Sequence, residues 1–244
     1  MSGKLISNRA LVLPISMLFA FVAGYYTHTT NVDTQCKIGE NNYVWDETAF
    51  CSGIDIDPYP VICKDAHERL ISGKVIKRFP DGRTMVEMFV KDGKKDGVEK
   101  LYDENGKLEQ ENVFTDGKRE GLSKSYYGNG ILASEAHFED DKLNGWAKNY
   151  HMNGVLKYEA FYKNGDQKIG KFYENGILAS EVHFEGNKRE VKKYYKNGQL
   201  KTQIAFKNDK KDGIAKMYDR NGRLIGEEMC KEGKCDGHLF DDIF

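Results

Sequence analysis

Glutamate recurs at one position of a repeating pattern, at Glu87, Glu111, Glu135, Glu159, Glu181 and Glu227, with Gln203 at the equivalent place. Carboxylates do acid–base chemistry when two of them sit in environments that push their proton affinities apart. Here every copy stands in the same local sequence and meets no acid–base partner, so the row reads as the polar surface of strands. His137 and His183 also share one position, and their recurrence follows from a duplicated block, NGILASE(A/V)HFE, at residues 129–139 and 175–185. The six histidines are scattered and no C-x-x-C occurs, so a metal site is not expected. No glycine-rich phosphate loop opens a helix and no G-x-S-x-G is present. Neither catalysis nor a cofactor is expected.

The chemistry that remains is recognition. Tyr102, Tyr126, Tyr150, Phe172, Tyr194 and Tyr218 form a second row. Aromatic side chains supply large contact area at little entropic cost and mark binding surfaces. A third row, Lys100, Lys124, Lys148, Lys192 and Lys216, lies beside the glutamates and suits a ladder of cross-strand pairs. Thirty-seven basic residues against 38 acidic ones leave a net charge of −1, without the basic stripe that nucleic acid requires. The expected partner is therefore another protein, with membrane lipid as a second candidate and nucleic acid excluded.

These rows are positioned by a repeat. Its turn glycine falls at Gly82, Gly106, Gly130, Gly154, Gly176, Gly198 and Gly222, at intervals of 24, 24, 24, 22, 22 and 24 residues. Such a period marks an array in which each copy buries its apolar face against neighbours. Tyr, Phe, Leu and Val around Asn-Gly or Asp-Gly predict a β-hairpin in every copy. A second turn follows each glycine by 11 residues, at Gly93, Gly117, Asp141, Gly165, Asn187, Asp209 and Gly233. The prediction is an all-β fold: an elongated single-layer antiparallel sheet of about seven hairpin repeats, with an N-terminal apolar helix.

Two registers compete. A two-residue loop of Asn105 and Gly106 pairs Tyr102 with Glu109. A three-residue loop, with Gly106 as a left-handed bulge, pairs Tyr102 with Leu108. The bulged register is preferred because it gathers Val98, Tyr102, Leu108 and Phe114 on one face, and likewise Leu122, Tyr126, Leu132, Ala136 and Phe138. Glu109 and Glu111 then lie on the other.

The pattern G-x-x-K-x-Y-x-x-N-G-x-L-x-x-E-x-x-F-x-x-G-K, at residues 97–118 and, with Asp141 for the later glycine, 121–142, resembles the bacterial variant of the MORN repeat. Bacterial proteins of this kind are commonly grouped as YwqK-type antitoxins of toxin-antitoxin systems. The resemblance covers about residues 73–237 and implies an elongated sheet with a role in protein or lipid contact. It transfers no catalytic residue.

Residues 1–26 read as a signal peptide or membrane anchor: Lys4 and Arg9 precede 17 uncharged residues from Ala10 to Tyr26. This orientation places the remainder outside the cytoplasmic membrane, tethered by a single pass or secreted after cleavage. Residues 27–72 form a cysteine-containing cap for the first hairpin, 73–236 the repeats, and 237–244 a capping tail. Export favours disulfides. Cys230 and Cys235 flank the last turn and are placed to face each other across it. A pair among Cys36, Cys51 and Cys63 is expected, the choice being open. Two functions follow: a membrane-associated or exported scaffold for protein interaction, or an antitoxin or immunity protein that neutralises a partner toxin.

Overall fold

The computed structural model describes residues 42–44, 49–52, 62–65 and 68–240. The expectations for residues 1–26, including the apolar helix, for Cys36 and for the last four residues of the tail fall outside the described residues. Among the described residues every regular element is a strand, and they form two compact units that divide after Gly176.

In the N-terminal unit β1 (Asn42–Val44), β2 (Ala49–Ser52) and β3 (Ile62–Asp65) precede the repeats. The first hairpin is β4 (Gly73–Arg78) with β5 (Thr84–Lys91). The short β6 (Lys94–Lys95) leads to β7 (Gly97–Tyr102) and β8 (Leu108–Thr115). The short β9 (Lys118–Arg119) leads to β10 (Gly121–Tyr126) and β11 (Leu132–Glu139). Then come β12 (Lys142–Tyr150), β13 (Leu156–Lys163) and β14 (Asp166–Glu174). The C-terminal unit holds β15 (Ile177–Glu185), β16 (Lys188–Tyr194) and β17 (Leu200–Lys207). It ends with β18 (Lys210–Tyr218), β19 (Leu224–Lys231) and β20 (Lys234–Cys235). Repeat strands pair antiparallel with their sheet neighbours, while β1 runs parallel to β4 and covers that edge.

Two kinds of turn alternate. Gly106 N–H donates to the Asp103 carbonyl at 2.9 Å, Asp103 N–H donates to the Lys107 carbonyl at 2.8 Å, and Gly106 has φ +78°. That is the bulged three-residue loop, and Tyr102 stands opposite Leu108. Tyr126–Leu132, Tyr150–Leu156, Tyr194–Leu200 and Tyr218–Leu224 repeat it. At the other end of the strands lie two-residue loops such as Asp116–Gly117 and Asn208–Asp209, with both residues left-handed. Here a neighbouring side chain serves the loop backbone: Asp96, Glu120 and Asn144 accept the N–H of Asp116, Asp140 and Asn164 at 3.2, 3.0 and 3.3 Å.

The expected division of faces is corrected by a second bulge. Beyond Tyr102–Leu108 the register jumps, and Leu101 faces Gln110, so the cross-strand register passes over Glu109. Side chains alternate, so one unpaired residue reverses every face beyond it. Phe114 therefore lies with Glu99 and Asn112, while Val98, Lys100 and Tyr102 share the other face with Glu111 and Val113. The exposures agree: Val98 is 36% exposed and Glu99 only 5%. In the next repeat the same jump sets Ala136 opposite Ser123 and Phe138 opposite Gly121, away from Tyr126.

One face of each unit is thus packed. In the N-terminal unit it buries Val75, Val86, Met88 and Val90, then Phe114, Ala136, Ala147, Tyr158, Ala160 and Tyr162. In the C-terminal unit it buries Val191, Ile204, Phe206, Ala215 and Cys230. Each fully buried Val, Ile or Phe stabilises by about 1.5–3 kcal/mol. Among the described residues the repeat strands mainly contact their sheet neighbours, and basic side chains help to cover this face. Lys95 lies 4.5 Å over the Phe114 ring, Arg119 5.3 Å over Phe138, and Arg189 4.5 Å over Phe206.

Chain segments finish the packing at the extremes. Cys63 is buried, disulfide-bonded and opposite Cys51 in register, and its N–H donates to the Gly93 carbonyl at 2.7 Å. Cys230 and Cys235 are joined by a disulfide across the β19–β20 turn. Phe240 then folds onto the packed face of the last strands and is fully buried among Val191, Ile204, Phe206 and Ala215. Lys211 Nζ donates to its carbonyl.

Candidate interaction surface

In each unit the face opposite the packed one carries the lysine, glutamate and tyrosine rows. At its centre basic and acidic side chains alternate from strand to strand. Glu87, Lys100, Glu111, Lys124 and Glu135 stand opposite one another in succession, followed by Lys148, Glu159 and Lys171. In the C-terminal unit the row reads Glu181, Lys192, Gln203, Lys216 and Glu227. Lys171–Glu159 closes to 3.3 Å and Lys216–Glu227 to 3.5 Å, Lys148–Glu135 and Lys192–Glu181 remain at 3.6 Å, and Lys192 also reaches Glu190 of its own strand at 3.1 Å. Half-exposed pairs of this kind contribute about 0.2–1 kcal/mol each. In the N-terminal unit the alternation keeps the ladder balanced, whereas in the C-terminal unit Gln203 replaces one of its acids.

Tyrosines flank this ladder on the side of the three-residue loops. Tyr102, Tyr126 and Tyr150 do so in the N-terminal unit, Tyr194 and Tyr218 in the C-terminal one. The Tyr150 hydroxyl donates to Glu135 Oε1 at 2.8 Å. Burial, then that hydrogen bond, pushes the Tyr150 phenol up to about 12. Burial and a hydrogen bond to Glu181 likewise push Tyr194 upward. The neutral, donating form of Tyr150 is therefore the one the fold favours. Its stabilisation is intact below the ordinary value of 10.0 and is lost as pH rises through about 12. An alkaline titration followed by tyrosinate absorbance should show a late-ionising group that disappears in Tyr150→Phe; a titration identical for both proteins would contradict the assignment.

Phe172 does not belong to this row, a second correction. Asn175 and Gly176 are both left-handed, at φ +52° and +79°, and β14 and β15 are separated by these two residues alone. With this shortened loop the side-chain parity of β14, counted back from the turn glycine, is shifted by one. Phe172 accordingly stands opposite Tyr158 on the packed face, ring centroids 4.6 Å apart, and is 42% exposed. Tyr173 takes the vacated place and donates to Glu159 Oε1 at 2.7 Å, as Tyr150 does to Glu135. The 22-residue interval, two short of the usual one, is the sequence signal for this substitution.

On the other side of the ladder each unit carries apolar pairs, which the sequence reading missed because it assigned Val98 to the packed face. Val98 faces Val113, Trp146 faces Phe161 edge-on at 5.4 Å, and Ile214 faces Met229. Lys171 Nζ lies 5.1 Å over the Trp146 ring. Among the described residues no His, Cys, Asp and Glu group is arranged to hold a metal ion, and no helix is long and apolar enough to cross a membrane. The arrangement offers an open polar and aromatic surface flanked by apolar side chains.

A family model for the MORN repeat variant matches residues 95–116, 119–140, 143–164, 171–185 and 190–208. Five hairpins at the centre of the chain are thus similar to the MORN repeat variant, and the first and last hairpins lie outside the matched segments, as terminal copies do. No curated protein matches the chain. Among solved structures, the S. aureus TarM G117R mutant in complex with Fondaparinux, alpha-GlcNAc-glycerol and UDP is 14% identical over 46% of this chain and 20% of its own, with a TM-score of 0.28. Accessory secretory protein 1, 2 and 3 of Streptococcus pneumoniae gives 14% identity over 40% of this chain and 19% of its own, with a TM-score of 0.28. The chain therefore spans no more than the 20% and 19% of those proteins that it matches, and likeness at this level decides neither fold nor function.

Proposed function

We propose that this MORN-repeat protein is a non-enzymatic scaffold that binds a protein partner through its ladder face. The observation that carries the reading is the contrast between faces. The packed face of each unit is largely covered by the chain's own rings and cations, with Phe240 added in the C-terminal unit, whereas tyrosines, charges and apolar side chains stand partly exposed on the other. A rigid sheet presenting aromatic anchors suits recognition without loop ordering. Residues 10–26 anchor the chain in the cytoplasmic membrane or direct it outward, and disulfides at Cys63 and Cys230–Cys235 suit an oxidising compartment. A toxin-neutralising role is the special case in which the partner is a toxin met outside the cytoplasm.

Cross-linking capture from the native membrane fraction tests the reading, comparing the wild type with Tyr126→Ala/Tyr150→Ala. A single abundant protein should be recovered by the wild type and lost, with affinity roughly 30-fold lower, from a double variant that keeps its β-sheet circular dichroism. Recovery of lipid without protein, or equal recovery by both forms, would reject the scaffold. If the captured protein inhibits growth and co-expression relieves it, the special case holds; if it is harmless, that case fails.

A further inference from the structure

Five lysines stand in one row along the two-residue-loop end of the C-terminal unit's ladder face. Lys188, Lys207 and Lys210 are directly opposite one another across β16, β17 and β18, and Lys231 is opposite Lys234 across β19 and β20. All five are exposed, and none forms an ion pair with a carboxylate among the described residues. Like charges directly opposite in a sheet destabilise it. Lys91 also stands opposite Lys94 in the N-terminal unit, but there carboxylates offset the charge. In the N-terminal unit Lys94 reaches Asp116 at 2.7 Å, Lys118 reaches Asp140, Lys142 stands opposite Glu139 and Lys163 opposite Asp166.

The carboxylates nearest the C-terminal row are largely engaged. Asp209 is held by Arg189, and Asp212 accepts the Glu232 N–H at 3.3 Å. Glu185, opposite Lys188, is the acidic side chain in register with the row. The central ladder adds to the imbalance, because Gln203 stands between Lys192 and Lys216 where the equivalent position is otherwise glutamate. From residue 186 to 223 the chain carries 12 Lys and Arg against four Asp and Glu, although the whole chain is at −1. Between the lysine edge and the ladder lies the exposed pair Ile214 and Met229, 43% and 52% exposed.

We propose that this lysine edge, with Ile214 and Met229 beside it, is the docking site for an acidic polypeptide segment that carries apolar side chains next to its carboxylates. The proposal rests on the reading of the ladder face as a protein-binding surface and names its partner class. Charge complementarity selects an anion, and the apolar pair rewards side chains that an isolated phosphate lacks. Single-stranded nucleic acid would need stacking rings beside the cations, but Tyr194 and Tyr218 lie at the opposite end of their strands.

Fluorescence anisotropy of the full chain with a labelled oligoglutamate peptide containing interspersed leucines tests the site. Binding is expected at low salt and should weaken roughly tenfold at physiological ionic strength. Lys207→Gln/Lys210→Gln should bind roughly tenfold more weakly, Lys207→Arg/Lys210→Arg should retain binding, and the Gln variant should melt no lower than wild type, since it removes a repulsion. Absence of peptide binding at low salt, equal binding by the Gln variant, or stronger lysine-dependent binding to phosphatidylserine vesicles than to the peptide would each overturn the proposal. Partner capture that depends on Tyr126 and Tyr150 but not on these lysines would refute this site while leaving the scaffold standing.

Discussion

Phe240→Ala should lower the stability of the C-terminal unit by about 3–5 kcal/mol, the range for emptying a buried aromatic site. Phe240 is the largest side chain with no exposure, and it covers Ile204 and Ala215, which also have none. In a sheet without a second layer the surrounding residues cannot collapse inward to fill the space. The loss therefore includes renewed exposure of Ile204 and Phe206 as well as the missing ring. Leu239→Ala is the internal comparison: Leu239 is 41% exposed and should cost about 1 kcal/mol or less. Urea unfolding gives the magnitude, and amide exchange should place the loss of protection in β17 to β19. A Phe240→Ala protein as stable as the wild type would mean that the tail does not hold this face.

The repeat, the hairpins and the three-residue loop at Gly106 were legible because each depends on local chemistry. Asn or Asp before Gly specifies a turn whatever surrounds it, and Tyr102 opposite Leu108 follows from the turn. The faces were not legible, because parity must be counted along the chain and one unpaired residue reverses it. Nothing in the side chain of Glu109 distinguishes it from Glu111, yet the register passes over Glu109 and sets Glu111 opposite Lys100. The misplacement of Phe172 has the same origin, with the difference that the shortened interval before Gly176 did announce a change of loop. Identity of repeat position implied identity of role, and the altered loop broke that equivalence. The lysine edge escaped notice for a different reason. Lysine opposite lysine is visible only once the strands are paired, and a net charge near zero concealed the local excess.

Glu99→Ala should be the most damaging substitution on the packed face of the N-terminal unit, at about 3–5 kcal/mol, because it strands a largely desolvated cation. Glu99 accepts from Lys95 Nζ at 2.6 Å and from Asn112 Nδ2 at 3.1 Å, with the two ionic side chains only 14% and 7% exposed. Removing the carboxylate leaves Lys95 beside the Phe114 ring without a counter-charge and Asn112 without its acceptor. Equivalent positions of other repeats hold Val75, Ala147, Val191 and Ala215, all buried, so the site itself accepts an apolar side chain. Lys95→Met/Glu99→Leu should accordingly recover most of the loss and come close to the wild type, since a buried ion pair adds little over well-packed apolar residues. Urea unfolding of the two single variants and the double one forms a cycle whose coupling should be strongly favourable. Additive losses would instead show that Lys95 is stabilised independently, by Phe114 and solvent. In that case the salt bridge in this repeat, like those of the exposed ladder, would contribute to the pattern of charge more than to the stability of the sheet.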